Sequence, residues 1–186
     1  LARDDLATYV GTSTGDVLML DNNSLRLVAK SKKPLGMGVT ALSVHGPTGE
    51  LLVGSGTGEL AILGPQLGRI AERGSSTLLG GLSSVALDAH GEFFFACTLD
   101  CNLYLVQYDG LVAELKGTAH PDPVCDIAFP KGYAECFVTC GGSDVRVWHA
   151  RTAAELLRIQ VPKLHCNCVT FPSHGRAILS GWSDGK

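Results

Sequence analysis

Long apolar runs are missing from this sequence. No stretch approaches the ~20 apolar residues that a membrane-spanning helix needs, and no secretory leader is visible at the start. Sustained helical periodicity is missing as well, which argues against a helical bundle. Clustered positive charge is scarce. Fifteen Lys and Arg stand against 18 Asp and Glu, for a net charge of −3. The one basic cluster, Lys30, Lys32 and Lys33, falls in a turn and reads as a solvated loop. A nucleic-acid surface or an anionic-membrane surface would need a basic patch, so neither partner is expected.

What the sequence does contain is glycine and short β-forming runs: 23 Gly and 8 Pro separate many short apolar stretches. The clearest is Val138–Trp148, VTCGGSDVRVW. Two β-branched or aromatic runs flank Gly141, Gly142, Ser143 and Asp144, residues that suit a tight turn. The unit recurs along the chain. Thr14, Thr57 and Asp100 are spaced by 43 residues, and Asp184 lies 84 further on, two periods of 42. The missing member falls at Gly142, where Asp144 stands in after a one-residue deletion in the turn. Val39, Leu82, Val124 and Cys166 each open an apolar run, at spacings of 43, 42 and 42. A period near 40–45 residues with a turn Asp and a strand-closing Trp resembles the WD-repeat β-propeller family. The resemblance implies an all-β fold of four-stranded antiparallel blades. At this period 186 residues make a partial propeller of about four blades plus part of a fifth. The expected boundaries are 1–38, 39–81, 82–123, 124–165 and an incomplete 166–186, forming an open arc.

Seven cysteines raise the question of metal. Cys97, Cys101, Cys136 and Cys140 form two C-x3-C pairs, a spacing compatible with zinc. The repeat argues otherwise, because Cys97 and Cys140 are one period apart and so occupy one structural position in neighbouring blades. Buried, reduced thiols are expected, with no metal and no cofactor. The odd count favours a reducing, cytoplasmic compartment.

In chain order, the first blade is expected to hold strands at 7–10, 17–20 and 25–29. The second should run through 39–44, 51–55, 60–63 and 68–71, followed by a patternless link at 73–81. The third comprises 82–87, 93–97, 103–106 and 111–115. Phe93, Phe94 and Phe95 are consecutive, so the middle ring must face away from its neighbours. In the fifth blade, strands are expected at 166–171 and 177–180. Two catalytic signatures fail. Gly11–Gly15 matches G-x-S-x-G, but that elbow needs a helix after the turn, and here a strand follows. The ending SGWSDGK nearly matches a phosphate-binding loop, but Ser180 stands where the first Gly belongs.

The fourth blade is the most complete. His120 precedes Val124 by the spacing of WD repeats, so the resemblance implies a structural network of His120, Thr139, the turn carboxylate Asp144 and the Trp148 indole. Asp100 and Asp184 are the turn carboxylates of the third and fifth blades. Because the turn before Trp148 is one residue short, the reach of Asp144 to His120 is left open. The sharper reading of the same pair, a catalytic His–Asp couple, lacks a nucleophile at matching spacing, so no catalytic residues and no enzymatic activity are expected. Trp148 is expected in the core, Trp182 half-exposed.

DVRVWH, ELLRI followed by VP, and SGWSDGK, all within Val138–Lys186, resemble a family of WD-repeat proteins of motile cilia. That resemblance implies a non-catalytic structural protein inside the doublet microtubules of the ciliary or flagellar axoneme. Its expected partners are tubulin and neighbouring luminal proteins. The other reading is a WD-repeat scaffold of a different complex, such as a ubiquitin-ligase receptor or a trafficking coat.

Overall fold

Both faces of most strands are apolar, so each sheet must be covered on two sides, and stacked sheets are the result. The computed structural model describes the whole chain except residues 5, 33, 69–73, 173 and 186, and leaves the side chain at position 3 aside. Four antiparallel four-stranded sheets and one two-stranded sheet follow one another in chain order. The first holds β1 (Ala2–Arg3), β2 (Ala7–Gly11), β3 (Val17–Asp21) and β4 (Leu27–Lys30). The second holds β5 (Val39–Val44), β6 (Leu51–Ser55), β7 (Glu59–Leu63) and β8 (Ser76–Thr77). The third contains β9 (Leu82–Leu87), β10 (Phe93–Thr98), β11 (Asn102–Gln107) and β12 (Ala113–Thr118). The fourth contains β13 (Val124–Ala128), β14 (Cys136–Gly141), β15 (Asp144–His149) and β16 (Glu155–Gln160). The last pairs β17 (Cys166–Thr170) with β18 (Leu179–Trp182). Successive blades of this kind make a partial, WD-like β-propeller.

Four apolar clusters fill the spaces between successive blades. Tyr9, Val17, Leu51, Val53 and Leu63 join the first and second blades. Leu52, Leu60, Ile62, Leu82 and Phe94 join the second and third. Phe95, Leu103, Ile127, Phe137 and Trp148 join the third and fourth, and Val138, Cys140, Val145, Cys166 and Val169 join the fourth and fifth. The Phe triplet divides as alternation requires: Phe94 enters the cluster before its blade, Phe93 and Phe95 the one after it. There Phe95 stacks on Phe137 at 4.1 Å between centroids.

Several strand boundaries differ from the sequence reading. The outer strand of the second blade is β8, inside the stretch read as a patternless link. Most of the strand expected at 68–71 lies outside the described residues. Leu111 belongs to a short 3-10 turn, Asp109–Leu111, and is buried, so its apolar character anchors a turn and the strand begins at Ala113. β18 starts at Leu179, two residues after the expected strand, and β4 at Leu27, two after Leu25, whose φ of 53° is left-handed. β1 was not foreseen, because its two residues carry no pattern.

Candidate functional site

The turn that organises the repeat is shorter in the fourth blade than in the third. β10 and β11 are separated by Leu99, Asp100 and Cys101, whereas Gly141 pairs directly with Asp144 and leaves only Gly142 and Ser143. Deleting one residue moves the carboxylate out of the turn and onto the first position of β15. From there Asp144 does meet His120, its Oδ1 accepting from Nδ1, so the reach left open by the sequence is made.

The remaining members close into a relay with one consistent direction. Trp148 Nε1–H donates to Thr139 Oγ1 at 2.7 Å, and the Thr139 hydroxyl donates to His120 Nε2 at 2.7 Å. His120 Nδ1–H then donates to Asp144. Arg146 donates to the second oxygen of Asp144 through Nε at 3.1 Å and Nη2 at 2.8 Å. Its Nη1 reaches Glu155 at 3.3 Å, and Arg158 holds Glu155 through two bonds of 3.0 and 2.8 Å. His120, Thr139, Asp144, Arg146 and Trp148 are all buried.

The relay requires a neutral imidazole. A protonated ring would donate from both nitrogens, and the Thr139 hydroxyl hydrogen would lose its acceptor. Burial holds the His120 pKa below its ordinary value, more than offsetting the upward pull of Asp144. Burial pushes the Asp144 carboxyl up, but the Arg146 and His120 bonds outweigh it and leave the pKa below the usual carboxylate range.

Thr139, His120 and Asp144 stand in the order of nucleophile, base and orienting acid, a combination the sequence spacing did not reveal. Two observations bear on its chemical use. Thr139 is 0% exposed, so no substrate carbon can approach its oxygen. That oxygen also accepts the Trp148 indole N–H, which ties it to the packed ring and fixes its position. The arrangement holds the link, β14 and β15 of the fourth blade together.

No protein-family model matches the chain. Curated proteins do. It is 43% identical over 190 residues to cilia- and flagella-associated protein 52 of Chlamydomonas reinhardtii, an alignment covering 100% of this chain and 30% of that protein. Along its whole length the chain is similar to proteins named cilia- and flagella-associated protein 52. The proteins of the same name from Sus scrofa and Homo sapiens are 38% and 39% identical, with 100% and 98% of this chain aligned. The chain thus spans about 30% of the length of these relatives.

Among the second, third and fourth blades, the relay belongs to the fourth alone. Four residues before the inner strand, where the fourth blade has His120, the second and third have Leu35 and Leu78. By strand pairing, Thr139 corresponds to Val53 and Ala96, and Trp148 to Leu63 and Val106. Leu35, Val53 and Leu63 share one apolar cluster, and Leu78, Ala96 and Val106 another. The polar set has been exchanged as a whole for an apolar one. Asp100 accordingly sits exposed beside Gly80, and Asp184 is exposed in the turn after β18. Neither takes the place that Asp144 takes.

Two further polar devices join blades. Asp126 on β13 accepts from Ser84 Oγ of the third blade at 3.0 Å and from the Val169 amide of the fifth at 3.1 Å. Its signal in the sequence is a lone charge inside an inner strand. Between the second and third blades, His45 stacks on Tyr108 at 3.9 Å, and its Nε2 pairs with the Gly91 carbonyl at 2.9 Å. Thr48 and Tyr108 both donate to Glu50, at 2.9 and 3.0 Å. Nothing in the repeat announces this latch.

The remaining sequence signatures fall into place locally. Thr12–Asp16 is a hairpin turn leading into β3. All seven cysteines are free thiols, with Cys97 and Cys140 buried at matching positions of β10 and β14. Among the described residues, no three His, Cys, Asp or Glu side chains form a group able to hold a metal ion. Trp182 is half-buried and donates to Ser180 Oγ at 2.9 Å.

Proposed function

We propose that the chain is part of a non-catalytic structural protein of the ciliary and flagellar axoneme, seated on the inner wall of doublet microtubules. It would contact tubulin and neighbouring luminal proteins there. The observation that carries this reading is the match, over the full chain, to proteins named cilia- and flagella-associated protein 52. The physical chemistry of the blades supports it. Blades locked by an apolar cluster at each junction and by Asp126 make a stiff body that can present broad loop surfaces. The relay that most resembles a catalytic array is sealed. A net charge of −3 suits the inner wall, because a protein gripping the acidic outer tails of tubulin would carry a basic patch.

Contacts made by shape and neutral polar groups over a large area resist salt, and repetition along the lattice multiplies weak single contacts. The full-length protein should therefore stay with doublets through a high-salt wash that strips outer-surface proteins, and leave only when the wall is disrupted. Quantitative release at moderate salt, or residence in the cytoplasm of cells lacking cilia, would shift the assignment to a scaffold of another complex.

A further inference from the structure

The turns between the second and third strands of each blade share one face of the molecule with the links that enter the next inner strand. On that face three large apolar side chains stand in solvent: Met37 at 79%, Leu79 at 75% and Leu99 at 54% exposure. They are neighbours through a glycine floor. A Cβ placed on Gly56 would lie 3.0 Å from the Met37 Cβ, and one on Gly81 would lie 2.6 Å from the Gly56 carbonyl oxygen. The Leu99 amide donates to the Gly81 carbonyl at 2.9 Å. Met37, Gly56, Gly81 and Leu99 thus form a continuous row, with Leu79 two residues from Gly81.

Met37 adopts a left-handed φ of 53°. Two residues before the next inner strand but one, the third blade has Gly80, with φ 86°, at the place Met37 holds before β5. A glycine would fit this backbone better, so the exposed methionine is held here at a cost in backbone strain. At the Leu99 end the row meets negative charge. Asp100 and Asp122 are both exposed, and both act on the thiol of Cys101 between them. Neither carboxylate forms an ion pair with a described cation.

We propose that this row is a docking surface for a protein segment of one kind: apolar side chains to lie across Met37, Leu79 and Leu99, and a Lys or Arg placed against Asp100 and Asp122. The glycines let the chain's own turns and links pack closely and so bring the three apolar side chains together, and the acidic end fixes the direction of the incoming segment. The surface stands independently of which assembly holds the protein.

A display library of random short peptides selected on the full-length protein tests this. Enriched sequences should combine two or more apolar residues with a basic one. Their affinity should fall about tenfold on Met37→Lys combined with Leu79→Lys, the loss expected of interface anchors. Asp100→Asn with Asp122→Asn should weaken them by about threefold and remove their salt dependence. Both double variants lie outside the core, and an unchanged thermal midpoint would show that they fold. Failure to enrich any sequence, enrichment of acidic sequences, or equal binding to the folded variants would each overturn the proposal.

Discussion

At the residue scale, His120 is the side chain whose protonation the fold resists. Its pKa and that of Asp144 are both lower in the folded chain than in the unfolded one, so the folded state binds fewer protons. Stability from His120 is complete above its ordinary value of 6.5 and is lost as pH falls through and below it; the Asp144 share is lost below 3.8. His120→Gln should flatten the pH dependence of unfolding just below pH 6.5 by up to about 1.4 kcal/mol per pH unit, the limit for one proton. Chemical denaturation at several pH values checks this, and equal slopes in the two proteins would contradict it. Trp148 is 8% exposed and fills the junction of the third and fourth blades while bonding Thr139. Trp148→Ala should cost about 3–5 kcal/mol through the cavity it leaves. An unchanged denaturation midpoint with lost partner binding would place Trp148 on the surface instead.

At the scale of the element, the hairpin turn does two jobs. It reverses the chain, and it supports the link entering the next blade. Gly15 has φ 89°, and a Cβ there would fall 1.9 Å from the Leu35 carbonyl oxygen, while Leu35 N–H donates to the Gly15 carbonyl at 2.9 Å. Gly58 repeats the arrangement against Leu78. The obstacle is backbone, so it cannot swing away. Gly15→Ala should therefore cost about 2 kcal/mol or more, from backbone strain together with displacement of the link. Hydrogen exchange at the Leu35 amide should accelerate with it; protection equal to that of the parent would show that the turn and link are not coupled. The fourth-blade turn shows the converse. Losing one residue leaves β15 in register and brings Asp144 to His120 from a strand position.

At the scale of the whole molecule, Asp126 is the only described side chain that bonds both neighbouring blades at once. Asp126→Ala deletes both acceptors and leaves the Val169 amide without its partner, a loss of about 2–3 kcal/mol if both bonds count near their usual worth. The effect should be directional: exchange should rise in β17 and at the β9 end of β13, while the His45–Glu50–Tyr108 latch keeps its protection. Uniform acceleration throughout the chain would mean that the blades unfold as one unit, with no local role for Asp126.

The repeat, the all-β class and the positions of most inner strands were determined by the sequence itself, because a period of 42 or 43 residues and runs of β-branched and aromatic side chains are local properties. So were the candidate members of the relay, since their residue types and spacing stand in one blade. Tertiary structure decided what depends on meeting across distance. Whether Asp144 reaches His120 turned on the register of β14 and β15. That Arg146 completes the carboxylate turned on side chains two apart sharing a face. The latch of His45, Glu50 and Tyr108 turned on a contact between blades that no repeat encodes. β8 and the turn at Asp109–Leu111 were misread for a related reason: short outer strands and turns take their form from what they pack against, and their own residues carry little pattern.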